Sequence, residues 1–368
     1  MNDFNSFSHR ARIEDLLVGR GAKLAAVDML QPAEPFLDTA GDELRRRIFM
    51  ARGVDGRNVC LRPEFTIPVC LAHLREDGLP ARHAYVGEVF RQGRVEGMEF
   101  LQAGIEDLGD PNRNEADARA IGDALQTLQA LGAKSPLSVT LGDQSVFDAV
   151  LRALELPAGW RVRLADAFGD VGAMAAQLAA LAEPAALPDL PAHIAAAARD
   201  GSDDLTALIA TDMEKAGLPQ VGGRTAANIA KRLTGKIKEA SLTAAPERVA
   251  QLESFLAIDV PLTEAVAALE GFADAAGVEI ETAIDAFNAR IAALRSAGIA
   301  LDSVNYAASF GRALDYYTGL VFEVRDANGS IVVGGGRYDR LLEMLGATDP
   351  IPGVGFSIWL DRLAGDAP

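Results

Sequence analysis

Four polar side chains are concentrated in the segment GRALDYYTGLVFEV, directly before a strand-like run. They are Arg312, Asp315, Tyr316 and Tyr317, in a chain that has only five tyrosines. A guanidinium group can bind a carboxylate through paired hydrogen bonds, and a phenol can donate or accept one. The segment is therefore a candidate binding site. The alternative is that the tyrosines only pack, with their hydroxyls satisfied inside the protein.

A glycine-rich segment, VVGGGRYDRL, follows after a DANG sequence that predicts a hairpin turn. Tyr338 lies just past the three glycines. They do not form a phosphate-binding loop of the usual type, because no Gly-Lys-Ser/Thr sequence follows them. Their lack of side chains instead predicts close approach of the backbone to a ligand or to a neighbouring strand.

The segment YVGEVFRQGRVEGMEFLQAGIEDLG predicts a hairpin whose turn lies near residues 94 to 97. On its second strand, the period of two places Gln102, Gly104 and Glu106 on one face. The glycine leaves room between an amide and a carboxylate, so a ligand could lie above it. The alternative is a solvated face, which antiparallel sheets often have.

The segment LRPEFTIPV places Arg62 and Glu64 on either side of a proline. A glutamate at a strand end can point into a cleft, and we treat Glu64 as a candidate for that role. A surface salt bridge at a sheet edge is an equally good interpretation of the same residues.

Composition restricts the classes of function. The chain has 368 residues, is 49% hydrophobic and carries a formal charge of −17, so its average field repels nucleic acids. Neither a signal peptide nor a run of roughly 20 apolar residues is present, so we expect a cytoplasmic protein that does not enter the membrane. Cys60 and Cys70 are expected to be buried and reduced, and the four histidines to lie apart. We therefore predict no metal and no other cofactor.

The hydrophobic patterns predict strands at both ends of the chain and helices between them. Helical periodicity begins at residues 9 to 20 and then dominates from about residue 112 to about residue 298. The expected strands are 58–62, 83–91, 98–106, 305–310, 320–325 and 330–333, followed by short helices from Arg337 and from Phe356. This order predicts an α+β fold with a helical insertion: a core of residues 1–140 and 300–368, and an insertion of residues 141–299.

Taken together, these motifs resemble those of the histidyl-tRNA synthetase family. LRPEFT, FRQGR with EFLQAGIE, RALDYYTGLVFE, GGGRYD and GVGFSIWLDRL occur in that family's order and cover nearly the whole chain. The resemblance implies the class II aminoacyl-tRNA synthetase fold, an antiparallel sheet flanked by helices that holds histidine beside ATP.

The resemblance also implies a role for each matching residue. Glu64, Thr66 and Gln102 would hold the α-amino group of histidine, and Arg312 would lie near its carboxylate. Glu106 with Tyr317 would bind the imidazole, whose two ring nitrogens need partners of opposite or switchable hydrogen-bonding sense. The predicted histidine site is completed by Tyr316, Tyr338 and Arg91.

Several departures from the synthetases point away from aminoacylation. The chain ends soon after Arg362, so we expect no anticodon-binding domain. The Arg-x-Glu sequence that meets ATP is replaced by Arg91-Gln92-Gly93 in a shortened loop, and Trp359 stands where the family has glycine. The histidine half of the site is therefore expected to be intact, and the ATP and tRNA halves to be lost.

This combination resembles the regulatory subunits of ATP phosphoribosyltransferase, which are paralogues of the synthetases. The resemblance implies a non-catalytic dimer that assembles with the short-form catalytic subunit as a hetero-octamer of four chains of each kind. It also implies that L-histidine is the effector in the first step of histidine biosynthesis. The alternative is an enzyme that adenylates histidine or a related amino acid for an acceptor other than tRNA, since Arg312 is retained.

Overall fold

The computed structural model describes most of the chain, with short gaps. The described ranges are 7–39, 41–76, 79–94, 97–133, 136–182, 190–199, 204–216, 225–240, 246–312 and 316–364. Elements are numbered in chain order below. Within these ranges, no helix is both long and apolar enough to cross a membrane.

A large mixed sheet forms the centre of the described fold. Its strands, in spatial order, are β1 (Lys23–Leu24), β5 (Ala81–Phe90), β6 (Glu99–Leu108), β12 (Gly353–Trp359), β11 (Ile331–Arg337), β10 (Leu320–Arg325), β7 (Ser138–Asp143), β9 (Val304–Ala307) and β8 (Asp259–Pro261). Neighbours are antiparallel, except that β1 runs parallel to β5 and β7 runs parallel to β9. A small antiparallel sheet contains β2 (Leu30–Pro32), β4 (Asn58–Leu61) and β3 (Met50–Arg52).

Helices flank the large sheet. They are α1 (Phe7–Val18), α2 (Glu34–Thr39), α3 (Asp42–Arg45), α4 (Thr66–Arg75), α5 (Arg113–Ala130), α6 (Gln144–Ala153), α7 (Ala158–Asp166), α8 (Val171–Ala182), α9 (Ala192–Arg199), α10 (Leu205–Lys215), α11 (Ala226–Ala240), α12 (Pro246–Leu256), α13 (Ala265–Ala276), α14 (Glu281–Ser296), α15 (Leu341–Met344) and α16 (Leu360–Ala364). Single 3₁₀ turns occur at Leu262–Glu264 and Leu301–Ser303.

One face of the large sheet forms the main hydrophobic core. Successive side chains of a strand point to opposite faces, so alternate residues of β6, β10 and β12 enter this core. Ile105, Phe322 and Phe356 are examples, each no more than 2% exposed. Helices α5, α6 and α14 contribute to the same cluster, which leaves the other face of the central strands to build the site.

Buried ion pairs join the helices to the sheet. Asp117 of α5 is fully buried and accepts hydrogen bonds from Arg290 of α14 and from Arg337 at the end of β11. Arg290 also pairs with Asp143, whose carboxylate caps α6 by accepting from the backbone N–H of Ser145 at 2.9 Å. Such paired charges tolerate burial because each one is hydrogen-bonded.

The predicted α+β class and the class II synthetase-like fold are confirmed, with parallel pairings near both edges of the sheet. The short helix predicted from Phe356 is wrong, because Gly353–Trp359 is a central strand and the helix begins only at Leu360. Likewise, the helix predicted from Arg337 begins at Leu341. A short apolar run cannot be assigned to strand or helix from its period alone, and here the two neighbouring strands decide it.

The helices between β7 and β9 belong to two hydrophobic clusters. Side chains of α6–α8 and of α12–α14 join the main core, whereas α9–α11 pack around a separate cluster that includes Ile209 and Leu233. The domain boundaries at residues 141 and 299 stay a prediction.

Two of the histidines, His73 and His83, were expected to lie apart, but their ring nitrogens are 3.1 Å from each other.

Candidate functional site

A cavity of about 160 Å³ opens on the second face of the large sheet. It is small beside the pockets of roughly 300–1,000 Å³ that hold drug-sized ligands. Its wall contains Leu44, Arg47, Glu64, Thr66, Arg91, Gln102, Arg312, Tyr316, Tyr317, Gly334, Ser357 and Trp359. The fold thus brings together most of the predicted site, from segments as far apart in sequence as residues 64 and 317.

The floor of the cavity lacks side chains where β11 crosses it. A Cβ atom on Gly334 would overlap the guanidinium group of Arg312, and one on Gly336 would lie 2.8 Å from Cε1 of Tyr317. On the opposite face, a Cβ atom on Gly335 would lie 2.6 Å from the ring of Phe322. The triple glycine therefore admits two side chains of the site on one face and a core ring on the other. The predicted close approach to a neighbouring strand is confirmed, because Cβ atoms on Gly335 and Gly336 would lie 2.5 Å from the backbone oxygen of Gly355 and 2.7 Å from that of Leu320.

The cross-strand neighbour of Gly104 explains why a glycine occupies this position of β6. In the antiparallel pairing of β5 with β6, Gly104 lies opposite Tyr85. A Cβ atom on Gly104 would lie 2.5 Å from the Tyr85 hydroxyl oxygen. The gap above Gly104, predicted to admit a ligand, is therefore filled by a phenol. The sequence prediction missed Tyr85, although a tyrosine opposite a glycine in a predicted hairpin is a usable signal.

Glu64 caps the helix that forms one side of the cavity. Its carboxylate oxygens accept hydrogen bonds from the backbone N–H groups of Thr66, at 2.6 Å, and Ile67, at 3.0 Å. Burial raises the pKa of Glu64, while these bonds and the guanidinium of Arg91 act in the opposite direction. The carboxylate is thus fixed at the N-terminus of α4, where the helix dipole favours negative charge.

Glu106 lies behind the cavity wall rather than on it. Its carboxyl group accepts hydrogen bonds from the hydroxyl of Thr66, at 2.8 Å, from that of Tyr85, at 3.3 Å, and from that of Tyr338. A Cβ atom on Gly355 would overlap this carboxyl group. Neither Glu106 nor Tyr338 is among the described residues that line the cavity, and the contact between Glu106 and an imidazole that the resemblance implies stays a prediction.

The protonation of Glu106 follows from its surroundings. Burial is the largest effect and raises the pKa of this carboxyl group to about 8, and the nearby Glu64 also raises it, whereas the three hydroxyl groups lower it. Below that pH the group is mainly neutral. Burial likewise raises the pKa of Tyr317 to about 12, so its phenol keeps its proton at neutral pH.

Two polar atoms of the wall have no hydrogen-bond partner within the described chain. They are Oε1 of Gln102 and Nε of Arg312, and both are buried. An unpaired buried polar atom costs about 1–3 kcal/mol. One is an acceptor and the other is a donor, so the cavity offers a small polar ligand one group that accepts a hydrogen bond and one that donates.

Trp359 lines the cavity. Its ring centroid is 5.6 Å from the guanidinium carbon of Arg312 and 5.1 Å from that of Arg362, which are cation–π distances. The indole is 8% exposed. Arg91 donates its Nε–H to the backbone oxygen of Pro63 at 2.8 Å and so holds its guanidinium at the wall. Burial lowers the pKa of Arg91 to about 10, and it stays charged at neutral pH.

Not every predicted residue can be placed. Asp315 and the central two residues of the hairpin turn lie outside the described residues. Leu44, Arg47 and Ser357 line the cavity without having been predicted. Ser357 lies on β12, opposite Gly104 of β6. The sequence could have identified Ser357 only if β12 had been recognised as a strand.

The fold corresponds to that of known proteins. The histidyl-tRNA synthetase family model matches residues 6–222 and 214–363. An ATP phosphoribosyltransferase regulatory subunit/histidyl-tRNA synthetase from Bacillus halodurans C superposes with a TM-score of 0.65 at 20% identity, covering 98% of this chain and 79% of that chain. Histidyl-tRNA synthetase from Nostoc sp. PCC 7120 superposes with a TM-score of 0.62 at 16% identity, covering 97% of this chain and 70% of that chain. These features define a protein of the histidyl-tRNA synthetase-like class.

Relatives in sequence narrow the class. The ATP phosphoribosyltransferase regulatory subunit of Rhizobium johnstonii (strain DSM 114642 / LMG 32736 / 3841) is 52% identical over 351 residues, which is 94% of each chain. That of Mesorhizobium japonicum (strain LMG 29417 / CECT 9101 / MAFF 303099) is 50% identical over 356 residues, covering 96% of this chain and 95% of the relative. The chain belongs to the family of ATP phosphoribosyltransferase regulatory subunits.

The raised pKa of Glu106 predicts a specific pH dependence of stability. An ordinary glutamate ionises near pH 4.5, but folding holds the proton on Glu106 up to about pH 8. Unfolding therefore releases a proton between these values, and the free energy of unfolding falls as the pH rises through this window. We expect the wild-type chain to lose stability relative to Glu106→Gln between about pH 5 and pH 8 in urea denaturation. Parallel pH profiles for the two proteins would contradict the assignment.

Proposed function

We propose that this chain is the regulatory subunit of a cytoplasmic ATP phosphoribosyltransferase and that it binds L-histidine in the cavity described above. In this proposal the short-form catalytic subunit carries the transferase reaction and needs this chain for its activity. Histidine bound here inhibits that reaction, which is the first step of histidine biosynthesis. The names of relatives about half identical over more than nine-tenths of both chains support the subunit assignment.

The observation that carries the ligand proposal is the pair of unsatisfied atoms in a small buried cavity. Oε1 of Gln102 needs a donor and Nε of Arg312 needs an acceptor. The α-amino group of an amino acid donates, and its α-carboxylate accepts. A zwitterionic amino acid would therefore satisfy both atoms at once, with Glu64 beside its ammonium group and Arg91 adding positive charge beside its carboxylate.

The remaining wall suits an imidazole. Tyr316 and Tyr317 line the cavity, and Tyr317 keeps a proton to donate to an unprotonated ring nitrogen. Thr66 also lines the cavity and lies between the cavity and Glu106. The Thr66 hydroxyl donates a hydrogen bond to the carboxyl group of Glu106. In our proposal Glu106 and Tyr338 orient Thr66 from behind, instead of touching the ring as the sequence resemblance implied.

Gln102→Leu tests the ligand site. The change removes the unpaired oxygen but nearly keeps the side-chain volume, so a bound α-amino group would lose its partner. We expect histidine affinity to fall roughly 5- to 150-fold, corresponding to about 1–3 kcal/mol, in isothermal titration calorimetry. Histidine inhibition of the transferase reconstituted with the catalytic subunit should weaken in parallel, while activity without histidine is kept.

Gln31→Leu is the matched control for this experiment. Gln31 is also buried, at 8% exposure, but its side-chain amide donates to the backbone oxygen of Asp28, and it is not among the described residues of the cavity wall. Its replacement should leave histidine affinity unchanged. If Gln102→Leu binds histidine as the unmodified protein does, the ligand lies elsewhere.

The adenylating enzyme remains the competing function, because Arg91 and Arg312 both lie on the wall. We expect no histidine-dependent exchange of pyrophosphate into ATP. The indole of Trp359 occupies space beside Arg312, and the loop after Arg91 lacks the acidic partner for adenine that synthetases have there. Clear exchange by the pure chain would favour the enzyme over the regulatory subunit.

We also propose that the chain forms dimers, which assemble with the catalytic subunit into a hetero-octamer of four chains of each kind. The small sheet exposes apolar side chains, with Leu30 58% and Met50 46% exposed, as expected of a surface covered in an assembly. We predict that the chain sediments as a dimer and that Leu30→Asp shifts it towards monomer. Val171→Asp, at an 84% exposed position of α8, is the control and should leave the chain a dimer. A stable monomer at micromolar concentration would contradict the dimer.

A further inference from the structure

The backbone before Arg312 lies in contact with the turn between α7 and α8. A Cβ atom on Gly169, in that turn, would lie 2.6 Å from the backbone nitrogen of Arg312 and 2.7 Å from Cα of Gly311. In return, a Cβ atom on Gly311 would lie 2.6 Å from Cδ1 of Phe168 and 2.8 Å from Cα of Gly169. Both residues must be glycine for the two segments to approach this closely.

The same segment is held on its other side by the sheet. A Cβ atom on Gly142 of β7 would overlap the backbone oxygen of Phe310. Residues 310–312 therefore run between a strand and a helical turn, and glycines allow their backbone to approach both closely. Since Gly169 has a φ of +89°, a residue with a side chain would also be strained there.

Stacked aromatic rings support the turn from behind. Phe168 stacks on Phe147 of α6 with ring centroids 4.5 Å apart, and Phe147 stacks on Phe255 of α12 at 6.2 Å. Phe255 in turn contacts Phe272 of α13 at 5.4 Å. The row of rings joins three helices to the turn, so a shift of these helices would reach residue 311 through packed side chains.

Arg312 is the side chain that this contact controls. Its guanidinium lies over Gly334 with Nη1 3.9 Å from Oε2 of Glu323, a distance too long for a hydrogen bond, and its Nε has no partner. The guanidinium also hydrogen-bonds to the Tyr317 hydroxyl and lies over the Trp359 ring at 5.6 Å. Its position depends on these side-chain contacts and on where residues 310–312 place its backbone.

We propose that Gly169 and Gly311 are positioning residues that set Arg312 in the cavity and couple ligand binding there to the packing of helices α6, α7, α8, α12 and α13. This inference rests on the proposed function for its ligand, and it adds a route of regulation. Because coupling is reciprocal, whatever moves these helices changes affinity in the cavity, and a ligand that pulls on Arg312 changes their packing.

The test variant is Gly169→Ala, with Gly132→Ala as the matched control. Gly132 has a φ of +82°, so it carries similar backbone strain, but no atom lies within 4 Å of its Cβ position. We expect Gly169→Ala to weaken histidine binding by about 5- to 50-fold in calorimetry performed well below the melting temperature. The control should lose thermal stability but keep its affinity. Equal affinities of Gly169→Ala and the control would overturn the proposal.

A double-mutant cycle separates positioning from a general structural effect. If Gly169 acts through Arg312, adding Gly169→Ala to Arg312→Gln should change affinity less than about 2-fold, because the group being positioned is already absent. An equal loss in both backgrounds would show that the turn acts on the cavity by another route and would overturn the role assigned to Arg312.

A measurement without ligand keeps this proposal separate from the proposed function. The chain has two tryptophans, so Trp160→Phe leaves only Trp359, whose ring is near the guanidinium of Arg312. In that background, Gly169→Ala should change the emission of Trp359, and Gly132→Ala should not. Unchanged emission would overturn the positioning role. If unmodified protein failed to bind histidine while this emission still changed, the proposed ligand would be wrong and the positioning role would stand.

Phe168→Leu is the replacement test variant if Gly169→Ala does not fold. It loosens the contact with Gly311 without backbone strain and should weaken histidine binding about 2- to 5-fold. Phe287→Leu, at a 1% exposed core position that packs on Tyr306, is its control for lost volume. An equal effect of the two substitutions on affinity would count against the contact.

Discussion

The site depends on a sheet face from which side chains are missing. Glycines at positions 104, 334, 336 and 355 lie on three neighbouring strands, β6, β11 and β12. They leave this part of the sheet face without side chains. Glycine weakens a strand, because it has no side chain to pack and loses more conformational freedom on folding. The cost is offset by hydrogen bonding to strands on both sides and by large side chains from neighbouring strands and from the segment before β10, which fill the gaps. Two tyrosines, an arginine and a glutamate thus lie in the space that Cβ atoms at these positions would otherwise occupy.

This arrangement explains which parts of the fold could be predicted. The hairpin of β5 and β6 follows from a period of two over long runs, and Leu320–Arg325 was predicted with the bounds that the structure has. The strand at Gly353–Trp359 could not be predicted, because its short apolar sequence fits either element and its state depends on partners far away in the chain. The glycines of β11 were equally ambiguous, since only pairing with β10 and β12 makes such a run a strand.

The residues of the site were easier to predict than their geometry. Type and spacing, with the family resemblance, identified Glu64, Gln102 and Arg312, and all three line the cavity. The position of Glu106 behind Thr66 could not be predicted, because it depends on hydroxyl groups contributed by three different elements. Burial among those hydroxyls also decides its protonation, and burial is a property of the whole fold.

The charges around the cavity differ from those of the protein as a whole. The chain as a whole carries −17, yet among the described residues the cavity wall has three arginines and one carboxylate, Glu64. That carboxylate is neutralised in part by two backbone N–H groups, so the wall favours a ligand with a carboxylate of its own. Trp359 limits how far such a ligand can extend, and the cavity is small. A zwitterion fits both conditions, whereas a nucleotide would bring more negative charge but find no space for its base. Because Arg312 supplies part of this charge from a segment packed between sheet and helices, our proposals link the binding of a small zwitterion to the arrangement of the helices.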